Sequence, residues 1–274
     1  MSGKLYICAT PIGNLKDITL RTLEVLEYVD IVAAEDTRHT LKLLNHFNIK
    51  KPLVSYYEHN KQYKGMKIIE EIKQGKNVAL VSDAGTPVIS DPGEQLVKEC
   101  VENNIEIESL PGACAAITAV TLCALDTKKF IFEGFLPPKV QDKKRQLESI
   151  KNYPYTMIFY EAPHKLNSTL MCMEEVLGNR NIAIMRELTK KFEQVLRFKI
   201  KDAISYFDEN EPKGEFVIVV EGGSEEKENE LNEMSVEEHV NFYINQGIDK
   251  KEAIKKCALD RNVPKREIYN EVMK

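Results

Sequence analysis

The chain reads as an α/β protein, two α/β domains of a kind that bind ligands at strand ends, followed by a small helical module, and three observations predict this. From residue 5 to about 125, short apolar runs alternate with segments of helical period, the pattern of a mostly parallel five-stranded sheet covered on both faces. Near Thr127 the rhythm changes to a series of strands that predicts a second, mixed sheet. Beyond residue 223 the sequence turns acidic and then basic. The division that follows is 1–125, 126–223 and 224–274, and a chain of 274 residues is long enough to carry it.

In the first domain the expected strands are Leu5 to Ala9, Ile31 to Ala34, Leu53 to Ser55, Val78 to Val81 and Ile105 to Leu110. Helices are expected at about 18–28, 38–47, 61–74, 91–103 and 113–124. Val78-Ala79-Leu80-Val81 is apolar without interruption, as a central strand buried on both faces requires. It runs into Ser82-Asp83-Ala84-Gly85-Thr86-Pro87, where Ala84 and Gly85 leave the backbone open to a ligand and Asp83 supplies a carboxylate. Roughly nine residues separate this strand from its helix, where ~2–6 are usual, and excess length at the carboxyl end of a buried strand serves ligands. Asp91-Pro92-Gly93-Glu94 reads as the helix start, with Asp91 as N-cap, Pro92 in the first helical position and Glu94 closing a capping box.

The other strand ends carry equally unusual loops. Thr10-Pro11-Ile12-Gly13-Asn14 resembles neither G-x-G-x-x-G nor a Walker A motif, which removes the main support for nicotinamide or nucleoside-triphosphate binding. Glu35-Asp36-Thr37-Arg38 has Asp36 or Thr37 as an N-cap, but Arg38 in a first helical turn opposes the helix dipole. Tyr56-Tyr57-Glu58-His59-Asn60 follows strand three, and Pro111-Gly112-Ala113-Cys114-Ala115-Ala116 follows strand five, its small side chains leaving room for a flat ligand or for close helix packing.

The second domain begins with a strand at Phe130 to Phe135, broken by Pro137-Pro138. Lys139, Lys143, Lys144 and Arg145 then fall on a loop or helix start, either a solvated face or a phosphate-gripping flap. Strands are expected at Thr156 to Tyr160, Ile182 to Met185, about 194–200 and 216–220, with a helix at 202–208. Residues 224–238 hold seven acids and one lysine, which suits a solvated linker. Three short helices are expected at 235–246, 249–261 and 264–273, a helix-turn-helix-like module suited to nucleic acid or to a plain interaction bundle.

Composition excludes several classes. The six cysteines are scattered and lack metal-ligand spacing, so they read as reduced packing residues of a cytoplasmic protein without disulfides or zinc. The N-terminus enters a strand directly rather than a signal peptide, and the longest apolar run, Ala113 to Leu125, is too short to span a bilayer, so no membrane association is expected. A net charge of −5 argues against an overall basic coat but leaves room for local basic patches.

Taken together, TPIGNLKDIT, AEDTR, SYYEHN, VSDAGTPVISDPG, LPGACAA, FEGFLP, FYEAPHKL, RELTKKFE and KGEFVIVVEG resemble the ribosomal RNA small subunit methyltransferase I family, of the tetrapyrrole-methylase type of S-adenosylmethionine enzymes, over about residues 4–222. The resemblance implies a 2′-O-methyltransferase acting on a cytidine in the decoding region of 16S rRNA, with the 30S subunit as partner, a homodimeric assembly and no metal. It also implies a donor site along Thr10, Pro11, Ile12 and Gly13, along Asp83, Ala84, Gly85 and Thr86, along Ala113, Cys114 and Ala115, and at Tyr160, Met185 and Leu188. Three positions depart from the family pattern: Tyr57 stands where His is usual, Ala162-Pro163-His164-Lys165 replaces Ser-Pro-His-Arg, and Phe198 occupies a usual Gly. The first weakens any mechanism built on a histidine pair with His59. A tetrapyrrole methylase, or a non-catalytic RNA-binding assembly factor, is the alternative.

A ribose hydroxyl is a poor nucleophile, so a carboxylate or imidazole should accept its proton. Clustering at strand ends makes Glu187, Asp36 and His59 the candidates for that base, with Arg38 and Lys190 holding phosphates or the developing oxyanion. Lys143, Lys144, Arg145 and the basic C-terminal tail are expected to contact RNA phosphates.

Overall fold

The computed structural model describes residues 2–223, 234–261 and 263–273. The first sheet comprises β1 (Lys4–Cys8), β2 (Ile31–Ala34), β3 (Leu53–Ser55), β4 (Val78–Val81) and β5 (Glu106–Leu110), in the order β3-β2-β4-β1-β5. Every adjacent pair is parallel, so all five carboxyl ends open on one edge. The strand period of two sorts the core. Leu5, Ile7, Val78 and Leu80 pack against Ile68 and Ile72 of α3 (Lys61–Lys73) and Leu96 and Cys100 of α4 (Gly93–Glu102). Cys8, Ala79 and Val81 face the other way, onto Leu26 of α1 (Leu20–Tyr28) and Leu44 of α2 (Thr37–His46). All four residues of β4 are buried, as its unbroken apolar run demands.

The start of α4 differs from the sequence expectation. The helix begins at Gly93 with no side-chain bond at its N-cap Pro92. Asp91 instead accepts the Val88 N–H at 2.8 Å on one oxygen and the Gly93 N–H at 2.8 Å on the other. That carboxylate ties the long loop after β4 to the helix, in place of a capping box with Glu94.

From β5, helix α5 (Ala115–Leu122) crosses to the second sheet, where Ala116, Ala119 and Val120 lie on Ile158, Ala183, Val217 and Val219. Small side chains at 113–116 and Ala119 permit this close approach. The second sheet is mixed, with β6 (Phe130–Phe135), β7 (Thr156–Glu161), β8 (Asn181–Arg186), β9 (Gln194–Lys199) and β10 (Phe216–Val220) in the order β6-β7-β10-β8-β9. β6 and β7 are parallel and the remaining pairs antiparallel. Its second face is covered by α6 (Val140–Ile150), α7 (Leu166–Leu177) and α8 (Ile200–Glu209). Helix α7 has no counterpart in the sequence reading, although Leu166, Leu170, Met173 and Leu177 form an apolar stripe at helical spacing.

Helix α6 corrects one expected RNA contact. Lys143 shares a stripe with Leu147 and Ile150 and is 1% exposed, so its ammonium cannot reach a phosphate. Its Nζ donates to Thr169 Oγ1 at 2.6 Å, and that hydroxyl donates in turn to Glu161 Oε2. Lys144 and Arg145 fall outside the stripe, where Lys144 pairs with Glu175 at 2.5 Å and Arg145 with Asp142 at 3.3 Å.

Both sheets belong to one compact unit, Met1–Lys151 with Tyr155–Glu221, and the remainder forms a second. Most of the acidic linker, 224–233, lies outside the described residues. The second unit contains α9 (Val236–Asn245), α10 (Lys250–Asp260) and α11 (Lys265–Val272) around Val240, Ile254, Cys257 and Ile268. Ser235 and Glu238 close a capping box on α9. Among the described residues, no helix is long and apolar enough to cross a membrane.

The second unit also buries His239. Arg261 Nε donates to its Nδ1 at 3.1 Å, so Nε2 carries the proton and donates to Asp260 Oδ2 at 3.2 Å. Burial lowers the His239 pKa, Arg261 adds to the shift, and Asp260 opposes it without reversing it. An imidazole whose pKa falls on folding binds a proton more readily when unfolded. The module's stability is therefore complete above the free-histidine pKa of about 6.5 and falls below it, by up to about 1.4 kcal/mol per pH unit until the folded pKa is passed. Hydrogen exchange of α9–α11 in the full chain should show protection falling between pH 7 and 5, and pH-independent opening would contradict the assignment.

Candidate active site

A cleft of about 440 Å³ lies between the carboxyl edge of the first sheet and the edge of the second formed by the ends of β6, β7 and β8 and the start of β10. Its floor is the loop after β4. Thr10 and Gly85 exchange two backbone hydrogen bonds, at 2.9 and 3.1 Å, and Thr10 Oγ1 donates to the Ser82 carbonyl at 3.2 Å. Thr86 Oγ1 donates to the Ala113 carbonyl at 3.0 Å, which joins this loop to the one before α5. Gly85 has φ +83°, which favours glycine, and a β-carbon there would stand 3.2 Å from Ile12 Cγ2, a tight contact.

Of the expected donor-site residues, Ile12, Asp83, Ala84, Gly85, Thr86, Cys114, Ala115, Tyr160, Met185 and Leu188 line the cleft. Thr10 and Ala113 stand behind that surface and hold it in shape through the bonds just described. Pro11 and Gly13 do not line it, and Gly13 packs against Lys190 and Thr189. Tyr160 has a mechanical role, since its hydroxyl accepts the Ala116 N–H at 3.1 Å at the start of α5. Burial, with Cys114 alongside, pushes its phenol up to about 12, so it remains protonated at neutral pH.

None of the five expected catalytic residues lines the cleft. Asp36 caps α2 by accepting the Arg38 N–H at 2.8 Å, and its second oxygen takes Arg38 Nη2 at 2.7 Å. Those hydrogen bonds hold its carboxyl far below the usual range, which makes it a weak base. Arg38 is thereby engaged, while its side chain stays 87% exposed. His59 is exposed, edge-on to Tyr57 at 6.3 Å. Burial alone would raise the Glu187 carboxyl, but the Glu215 N–H, Lys190 and Arg186 together hold it below its ordinary value. Lys190 Nζ bridges Glu187 at 3.0 Å and Glu215 at 2.8 Å. The pairing of Asp36 with Arg38 and of Lys190 with Glu187 and Glu215 is not visible in a list of polar residues at strand ends.

The sequence reading also passed over residues that do line the cleft: Glu35, Ser82, Ile89, Ser90, Asp91, Phe135, Glu161, Ala162, Pro163, Glu215, Phe216 and Val217. Two backbone outliers mark its rim. Val88 and Ser90, at φ +77° and +66°, flank the exposed Ile89, and a β-branched residue in that region is held by its surroundings, here by the Asp91 carboxylate.

The family described as Tetrapyrrole (Corrin/Porphyrin) Methylases matches residues 4–204, which places the chain among methyltransferases of the tetrapyrrole-methylase class. Solved structures share the fold at low identity. Diphthine synthase superposes with a TM-score of 0.62 at 14% identity, covering 81% of this chain and 90% of that one. Uroporphyrin-III-C-methyltransferase from Thermus thermophilus does so with 0.56 at 19%, covering 79% and 94%. Sequence relatives are far nearer. The ribosomal RNA small subunit methyltransferase I of Bacillus subtilis is 50% identical over 272 residues, 98% of this chain and 93% of the relative. That of Thermotoga maritima is 47% identical over 220 residues, 80% of this chain and 99% of the relative. The chain belongs to the ribosomal RNA small subunit methyltransferase I family.

Proposed function

We propose that this protein transfers a methyl group from S-adenosylmethionine to the ribose 2′-hydroxyl of a cytidine in the decoding region of 16S rRNA, acting on the 30S subunit in the cytoplasm as a homodimer. The observation that carries the reading is 50% identity over 98% of the chain to a relative named for small-subunit rRNA methylation. The cleft fits such a donor. Its volume of about 440 Å³ falls in the ~300–1,000 Å³ range of small-molecule sites. Ile12, Met185 and Leu188 give it an apolar wall, and the carboxylates of Asp83 and Asp91 line it with negative charge suited to a cationic sulfonium. Gly85 lets main-chain groups approach a nucleoside closely.

When bound, the donor supplies a methyl activated by positive sulfur. The protein's part is chiefly to hold a ribose oxygen in line with it, an effect worth up to ~7–11 kcal/mol in well-oriented systems. Lys144 and Arg145 remain available for phosphates if those contacts displace Glu175 and Asp142, whereas Lys143 does not. The test is incubation with tritium-labelled S-adenosylmethionine and either 30S subunits or uroporphyrinogen, followed by mapping of the label. Label on one cytidine ribose is the expected result. Label on the macrocycle, or on neither, would refute the reading.

A further inference from the structure

We propose that Glu35 is the general base that takes the proton from the attacking ribose hydroxyl, an assignment that rests on the ribose-methylation reading above. The carboxylates that line the cleft differ in how fully they are engaged. Asp91 spends both oxygens on the Val88 and Gly93 N–H groups. Glu161 spends both on Ala162 N–H and the Thr169 hydroxyl. Asp83 accepts the Asp36 N–H at 3.0 Å, which ties the loop after β4 to the loop after β2. Glu215 is paired with Lys190. Glu35 has, among the described residues, no hydrogen-bond or ion-pair partner, and its carboxylate is free to accept a proton.

Its position suits the task. Ala34 is in register with Val81, so Glu35 follows β2 beside the Ser82–Asp83 turn that forms the cleft floor. Asp36, one residue on, is committed to α2 and Arg38, which leaves Glu35 as the residue of this run that lines the cleft. Glu35 is exposed at the cleft, and partial burial, followed by the charges of Asp83, Asp91 and Asp36, raises its pKa and makes it a stronger base than an ordinary carboxylate. The nearby cation Arg38, which would work the other way, is turned onto Asp36. Asp36 and Glu187 have the opposite character, both being lowered by hydrogen bonds and cationic partners.

The step balances. As the oxygen–methyl bond forms, the carbon–sulfur bond breaks and its electron pair stays on sulfur, leaving a neutral thioether. The hydroxyl proton passes to Glu35 and then to water. One positive and one negative charge disappear together, so the step leaves no separated charge behind.

Glu35→Gln keeps shape and removes the base. Three quantities would be measured: single-turnover transfer from S-adenosylmethionine to 30S subunits, donor affinity by calorimetry, and subunit affinity by filter binding. The expected result is a transfer rate lower by about 100-fold or more, with both affinities within about threefold of wild type. A rate within about threefold of wild type would overturn the proposal, and so would a rate loss matched by lost donor affinity, since Glu35 would then serve binding rather than proton transfer. Wild-type protein that binds the donor but leaves 30S ribose unlabelled would remove the underlying reading, an outcome distinct from either.

Discussion

Lys143→Met is expected to destabilise the two-sheet unit by about 3–5 kcal/mol, lowering its melting temperature by about 6–20 °C at ~2–4 °C per kcal/mol for a unit of this size. Lys143, Thr169 and Glu161 are 1%, 0% and 4% exposed, and they form a chain in which an ammonium donates to a hydroxyl that donates to a carboxylate. Methionine fills the volume but leaves the carboxylate with a hydroxyl and the Ala162 N–H as its partners, with no cation at the far end of the chain. A buried charge stripped of its counter-charge is among the few single changes that cost this much. The double variant Lys143→Met/Glu161→Gln removes the stranded charge as well, and it should recover at least half of the loss. Urea melts of the three proteins test this. Stability of the single variant within about 1 kcal/mol of wild type would show that the carboxylate does not depend on the lysine.

Lys143 also shows why part of the site was hidden in the sequence. Four cations within seven residues read as one solvated patch, yet the helical period turns position 143 inward with Leu147 and Ile150 and turns 144 and 145 outward. The fold was more legible. Alternating apolar runs placed all ten strands close to their observed limits, most sharply β4 and β10, whose every residue is buried. Helix α7 follows directly on the charged strand end at 161–165, and its stripe of Leu166, Leu170, Met173 and Leu177 is the signal by which sequence could have placed it.

Cleft-lining residues were legible for a similar reason. Small side chains and glycine at 83–86 and 113–115 have few uses other than close approach, and most of them line the cleft. Pairing among the polar residues was not, because the loops AEDTR and RELTK each hold several ionisable groups and sequence does not say which pair off. In AEDTR, Asp36 and Arg38 neutralise one another and leave Glu35 on the cleft. In RELTK, Glu187 and Lys190 form a bridge that also engages Glu215.

The account depends on the donor lying along the loop after β4, and Gly85→Val puts that to its most direct measurement. Gly85 has φ +83°, which costs a residue with a β-carbon about 1–2 kcal/mol, and the added side chain would crowd Ile12 at the cleft floor. Gly178, at φ +78° and ψ −173° with open space around it, gives a control in which a β-carbon meets a backbone cost of its own away from the cleft, as Gly178→Val. Calorimetric titration of wild type and both variants with S-adenosylmethionine should show one site in wild type and in Gly178→Val. Gly85→Val, verified as folded by its melting curve, should bind at least about 100-fold more weakly, equivalent to about 2.7 kcal/mol. Wild-type affinity in folded Gly85→Val would place the donor elsewhere and contradict the account.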